Sequence, residues 1–154
     1  MSEPDPVAQI EGAIVTLLRR ANDPRGNRQI YDMAGTDIER AGSVMLARLE
    51  ELQPARLSDL AVAAGLELST ASRQVARLVD QGYVERTPDP ADGRAALHRL
   101  TPAGRDLRTR LKRAVRAWFQ HALSDFDERD QARLATLLGR FVESLVADPE
   151  PARR

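Results

Sequence analysis

Cysteine is absent from the chain, which excludes disulfides, thiolate metal sites and thiol redox sensing. Aromatic residues are scarce, at 4 %, so core packing alone could employ most of them. No long hydrophobic run occurs either. Residues 13–18 form the longest and are interrupted by Thr16, far short of the roughly 20 apolar residues that cross a bilayer. The acidic, proline-containing start (Ser2-Glu3-Pro4-Asp5-Pro6) is unlike the basic start of a secretory signal, which places the chain in the cytoplasm. Net charge is missing as well, with 23 basic residues against 23 acidic ones. That excludes a uniformly basic surface but not a local one. Residues 56–116 carry 12 Arg or Lys against 7 Asp or Glu, so a basic central segment lies between acidic flanks. Such a distribution suits a nucleic-acid binder whose outer segments do something else.

The basic segment also carries the clearest local pattern. Leu57, Leu60, Ala61 and Ala64 recur at helical spacing, with Ser58 placed to cap them and Gly65 to stop them. Ser69 is placed to cap a second helix, whose inward stripe is Val75, Leu78 and Val79 and which Gly82 ends. Two helices joined by about four residues including glycine predict a helix-turn-helix, whose second helix can enter the DNA major groove. Residues 83–86 then alternate as a strand, and residues 96–100 can pair back on it. Between them Pro88, Asp89, Pro90, Asp92 and Gly93 predict an extended loop turning at Asp92-Gly93. The expected unit is a winged helix-turn-helix.

The run DPADGRAALHRLTPAG, with Asp89, Asp92, Arg94, Leu100, Thr101 and Gly104, resembles the wing signature of the multiple-antibiotic-resistance regulator (MarR) family. The preceding LSDLAVAAGLELSTASRQVARLVDQGYVER resembles that family's two DNA-reading helices, and the match weakens outside residues 57–104. The resemblance implies that the outer helices join into a lobe that dimerises. A two-fold dimer would offer two recognition helices about one DNA turn apart, matching a pseudo-palindromic site. For the wing it implies that Asp92 braces the hairpin by a salt bridge and that Arg94 enters the minor groove. It also implies a cleft for a small aromatic or phenolic effector. In this chain the comparable residues are Tyr31, Met33, Ile38 and Met45, with Trp118 nearby. Glu39 and Arg40 stand where that family would have a more apolar start to the helix, which leaves the effector's identity open.

From the residues themselves, Ser72 and Arg73 stand near the start of the second helix, where base edges are within reach. Arginine's forked donors match two acceptors on guanine. Thr70 and Arg77 are better placed for phosphate, which holds register without conveying sequence. Elsewhere, helices are expected over residues 6–20, with Ile10, Ile14, Leu17 and Leu18 on one face, and over 37–51, capped by Thr36. Residues 22–27 break the chain between them, and 53–55 separate the second from the DNA-reading segment. Thr101-Pro102 starts a long helix to about residue 121. A break at 124–127 leads to a last helix carrying Leu134, Leu137, Leu138, Phe141, Val142 and Leu145, and 148–154 is a frayed tail.

His98 and His121, the only histidines, are too far apart for a motif and read as satisfied or solvated; no metal or cofactor site is expected. No nucleophile elbow, P-loop or paired acid and base occurs, so the chain does not read as an enzyme. The expectation is a mainly α, single-domain protein of residues 1–154. Residues 53–103 form the winged lobe, and 6–50 with 104–147 form a helical dimerisation lobe. Its partners are double-stranded DNA, a second copy and a small effector, with no membrane. It acts as a transcription regulator, a repressor released by ligand. The alternative is a winged-helix module for protein assembly whose basic face is merely solvated.

Overall fold

The computed structural model describes residues 5–147. The tail expected over 148–154 lies outside them, as do residues 2–4 of the acidic start. In chain order the elements are α1 (Pro6–Asn22), α2 (Pro24–Met33), α3 (Arg40–Leu52), β1 (Ala55–Arg56), α4 (Leu57–Ala64), α5 (Leu68–Asp80), β2 (Val84–Asp89), β3 (Asp92–Leu100), α6 (Pro102–Ala122) and α7 (Glu128–Ala147). The chain divides into two compact units after Val115, within α6.

The first unit is built around apolar stripes at helical spacing. Met45, Leu46 and Leu49 of α3, Leu60 and Ala61 of α4, and Ala71, Val75 and Leu78 of α5 are buried in one core. Val84 and Leu100 close it from the sheet, and Leu107, Leu111 and Ala114 from α6. The sheet order is β1-β3-β2, all antiparallel, with Val84 opposite Leu100 and Ala55 opposite His98.

Four local expectations need correction. Ser58 does not cap α4. The helix begins at Leu57, which packs half-buried on the core, and the Ser58 hydroxyl instead meets Asp59 Oδ1 at 3.3 Å. Ser69 likewise does not cap α5, whose hydrogen-bond ladder already begins at the Glu67 carbonyl, bonded to the Ala71 N–H at 2.9 Å. Thr36 does not cap α3. Its hydroxyl accepts the Ile38 N–H at 3.2 Å and closes a turn ahead of the helix. In the wing, no extended loop forms. The strands continue through Pro88 and Asp89 and from Asp92, leaving the turn to Pro90-Ala91. The Asp89 carboxylate does the closing, accepting the Ala91 N–H at 2.8 Å.

Two elements were not foreseen. The break at residues 22–27 is only a kink at Asp23, because Pro24 begins α2 where a missing N–H costs nothing. The separator at 53–55 supplies Ala55, the first residue of β1.

The wing's root is a tight joint. Thr101 donates its hydroxyl to the Gly82 carbonyl at 2.6 Å and accepts the Gly104 N–H at 3.1 Å, while its own N–H reaches the Tyr83 carbonyl at 3.1 Å. Thr101 is thus the cap of α6, as expected. A Cβ on Gly104 would collide with the Tyr83 carbonyl oxygen.

In the second unit, Asp127 Oδ1 accepts the Asp130 N–H at 2.7 Å, and Gln131 Nε2 donates to the Phe126 carbonyl at 2.9 Å, fixing the turn into α7. No residue of α7 is buried. Leu137 and Leu145 are each more than half exposed, and in the first unit so are Leu17 and Leu18 of α1.

Gly104→Ala is expected to destabilise the protein by about 1–3 kcal/mol, the usual cost of forcing atoms into a packed site. A lower urea midpoint with an unchanged slope would show it. An unchanged midpoint would mean that α6 is not seated on Tyr83.

Candidate nucleic-acid interface

Gly65, at φ +63°, turns the chain between α4 and α5, with Leu66 N–H bonded to the Ala61 carbonyl at 3.0 Å. Only glycine takes this left-handed conformation without strain. The turn leaves α5 with Ala71, Val75 and Leu78 buried. At 100° per residue, Ser69, Arg73 and Ala76 lie opposite that stripe, and all three are exposed. Ser72 and Arg77 are exposed on the two flanks, and Thr70 is half-buried. The expected contact residues therefore do not form one row: Ser69 and Arg73 face outward together.

The two flanks of α5 differ. On one, Ser72 lines a cavity of about 570 Å³ shared with Leu68, Arg56, Arg86, Ala96 and His98. On the other, Arg77 Nη1 is ion-paired with Glu39 Oε1 at 2.9 Å. Among the described residues, no side-chain hydrogen bond or ion pair holds the guanidinium of Arg73 or of Arg94. Arg86 and Arg99 on the wing strands are also exposed.

The wing is braced by Asp89 rather than by the expected Asp92. Arg56 Nε meets Asp89 Oδ2 at 2.8 Å, and Arg56 Nη2 reaches the same oxygen at 2.5 Å. The Ala91 N–H and then the Arg56 guanidinium hold the Asp89 carboxyl below the usual carboxylate range. Asp92 Oδ1 accepts the N–H of Arg94 at 3.1 Å, fixing the backbone from which Arg94 projects. Arg56 and Asp89 stand 33 residues apart, and no local sequence signal pairs them.

His98 is neither solvated nor fully satisfied. It is buried, and its Nδ1 finds no hydrogen-bond partner. Burial pushes its imidazole below the usual range; a backbone hydrogen bond with Ala55 opposes this and the nearby Arg86 charge adds to it. Among the described residues, no three His, Asp or Glu side chains gather as a metal site.

Of the residues expected to line an effector cleft, Ile38 and Met45 are buried core and Tyr31 packs half-buried against them. Burial raises the Tyr31 hydroxyl above the usual phenol range, against a hydrogen bond with Ser43. Met33 is half exposed. Trp118 belongs to the second unit, its ring edge-on to Phe119 at 5.1 Å.

A helix-turn-helix leading directly into a braced antiparallel hairpin defines a winged-helix DNA-binding protein. Residues 40–96 match the MarR family model. The chain is 28 % identical over 150 residues to an uncharacterised HTH-type transcriptional regulator, YxaD, of Bacillus subtilis (strain 168), covering 95 % of this chain and 99 % of that one. A probable transcriptional regulator from Pseudomonas aeruginosa is 30 % identical with a TM-score of 0.64, over 83 % of this chain and 96 % of that one. A MarR transcriptional regulator from Methanosarcina mazei Go1 is 26 % identical with a TM-score of 0.71, over 91 % and 98 %. The chain belongs to the MarR family and is a DNA-binding transcription regulator. None of the described helices is long and apolar enough to cross a membrane.

The buried imidazole makes stability pH-dependent. Its folded-state pKa lies below the unfolded value of about 6.5, so the unfolded chain takes the proton more readily. The stability this contributes is present above that value and is lost as pH falls through the folded-state pKa. Urea midpoints should fall on acidification below about pH 6.5, and His98→Phe should flatten that fall. An unflattened profile would assign the loss to other groups.

Proposed function

We propose that the protein acts as a homodimer, placing α5 of each copy in the major groove of a pseudo-palindromic site and Arg94 of each wing in the flanking minor groove. The observation that carries this reading is the exposed, unpartnered guanidinium of Arg73, directly across α5 from its buried stripe. Arg73 and Ser72 read base edges. Ser69, Thr70 and Arg77 hold register on sugar and phosphate, and Asp92 positions Arg94 through its backbone bond. A lone guanidinium in the minor groove reads width and potential more than base identity.

The exposed apolar rows of α1 and α7 support the dimer. Burying each such side chain stabilises by about 1.5–3 kcal/mol, enough in sum for an obligate interface. Residues 53–103 then serve as the DNA-binding lobe, with 6–50 and 104–147 as the dimerisation lobe. Acting in the cytoplasm, the protein represses until a small aromatic or phenolic effector releases it. The half-buried Tyr31 hydroxyl, with Ile38, Met45 and Met33 of the first unit, is the proposed recognition set. No catalytic step enters this function.

Selection from a random duplex pool should return a two-fold-related consensus. Arg73→Ala should then lose about 1–3 kcal/mol of discrimination at one base pair per half-site. Equal weakening on every duplex would make Arg73 a phosphate contact, and no selection at all would favour a protein-assembly module.

Arg94→Ala should weaken binding by about 1–3 kcal/mol while leaving the core consensus intact. It should also flatten the salt dependence by about one unit. Titration against duplexes with A·T-rich and G·C-rich flanks checks this. Unchanged affinity and flank preference would mean that the wing does not touch DNA. Sedimentation should find a dimer at micromolar concentration, and a stable folded monomer would overturn the interface.

A further inference from the structure

Glu39 occupies the position before α3 where a capping side chain would turn back onto its own helix, and it makes no such bond. Its carboxylate reaches across to α5 instead. Oε1 accepts from Arg77 Nη1 at 2.9 Å, and Oε2 faces Gln74 Nε2 at 3.5 Å. Gln74 and Arg77 are one turn apart on the same flank, so both carboxylate oxygens are turned toward the recognition helix. Gln74 also lies along the first turn of α3, its Oε1 within 3.7 Å of where a Gly42 Cβ would stand.

This arrangement contributes little to folding. The side chains of Arg77 and Glu39 are 57 % and 63 % exposed, and ion pairs at such exposure stabilise a fold only slightly. Its consequence lies in what Arg77 is free to do. A guanidinium aimed at the DNA backbone exchanges its counterion for phosphate, and here the counterion is a carboxylate of the same chain. Engaging phosphate then either breaks the pair or brings Glu39 toward the phosphate as a like charge.

We propose that Glu39 is a positioning residue that competes with the DNA backbone for Arg77 and so sets the strength of the sequence-independent part of binding. The proposal rests on the reading of α5 as the groove-facing helix. A regulator gains from restraint here, because non-specific sites vastly outnumber specific ones. Holding one phosphate-seeking cation internally lowers general affinity without touching Arg73.

The test is a salt titration of a mixed-sequence DNA duplex with four proteins: wild type, Glu39→Gln, Arg77→Ala and the double variant. Glu39→Gln should bind about two- to fivefold more tightly at low salt, the size of an exposed ion pair. Its affinity should fall more steeply with salt, by up to about 0.9 in log–log slope, because Arg77 then engages its phosphate without a competing carboxylate. Both changes should vanish in the Arg77→Ala background. Weaker or unchanged binding by Glu39→Gln would overturn the proposal, the former by showing that the carboxylate orients Arg77 productively. A gain that survives in full without Arg77 would also overturn it, since through-space charge alone would then be acting. Failure of the wild type to bind any duplex would instead overturn the DNA-binding reading of α5 itself.

Discussion

The close approach of α6 to the Tyr83 carbonyl is the constraint on which the winged unit depends. Gly104 permits it by offering no Cβ, and Thr101 fastens it with bonds to Gly82 and to the Gly104 N–H. Three elements meet there: the end of α5, the return of β3 and the start of α6. Short polar contacts there add to the apolar packing of Leu78, Leu100 and Leu107 in setting their relative orientation. The far end of the wing is held separately, through Arg56 and Asp89. A two-stranded ribbon is marginal alone. Tethered at root and tip and paired with β1, this one becomes a defined projection from which Arg94 extends.

The winged segment was legible because its signals are local. The spacing of Leu57, Leu60, Ala61 and Ala64 gave α4, and that of Val75, Leu78 and Val79 gave α5. Gly65 and Gly82 stand at their ends with positive φ, and Thr101-Pro102 begins α6. The cap assignments failed for a physical reason. A serine next to a helix start is a good candidate only if the ladder has not yet begun, and Leu57 and Leu68 already stand in the first turns. α2 was hidden because Asp-Pro and Gly read as breakers. Proline starts a helix as readily as it ends one, and Gly26 meets only ordinary contact distances. The Arg56–Asp89 and Glu39–Arg77 pairs join residues 33 and 38 apart, which no periodicity reveals. His98 was misjudged because alternation along β3 does not tell which face the core takes until β1 is known.

The arginines divide by what holds them. Arg56 braces the wing, Arg108 shares Glu50 with Lys112, and Arg110 reaches the Ala34 carbonyl at the end of α2. Each occupies its donors in the fold, and its charge is largely spent on an internal partner. Arg73 and Arg94 have none, and Arg77 stands between the two groups. The local excess of basic residues in the sequence therefore overstates the charge available to a ligand. What counts is the smaller set left unpaired on the outward side of α5 and at the wing.

That distinction also reconciles a net charge of zero with DNA binding. A general basic surface would bind any duplex strongly and release it only at high salt. Here five of the twelve Arg and Lys of residues 56–116 are ion-paired within the chain, so the charge left for phosphate is smaller than the count of basic residues. Discrimination must then come from a few well-placed groups on a rigid frame. Such groups work only if their positions are fixed to within a fraction of an ångström. The joint at Gly104 and the brace at Asp89 supply that rigidity for α5 and the wing. The polar contacts at Thr101, Gly104 and Asp89 thus fix where the exposed Arg73 and Arg94 stand relative to the core.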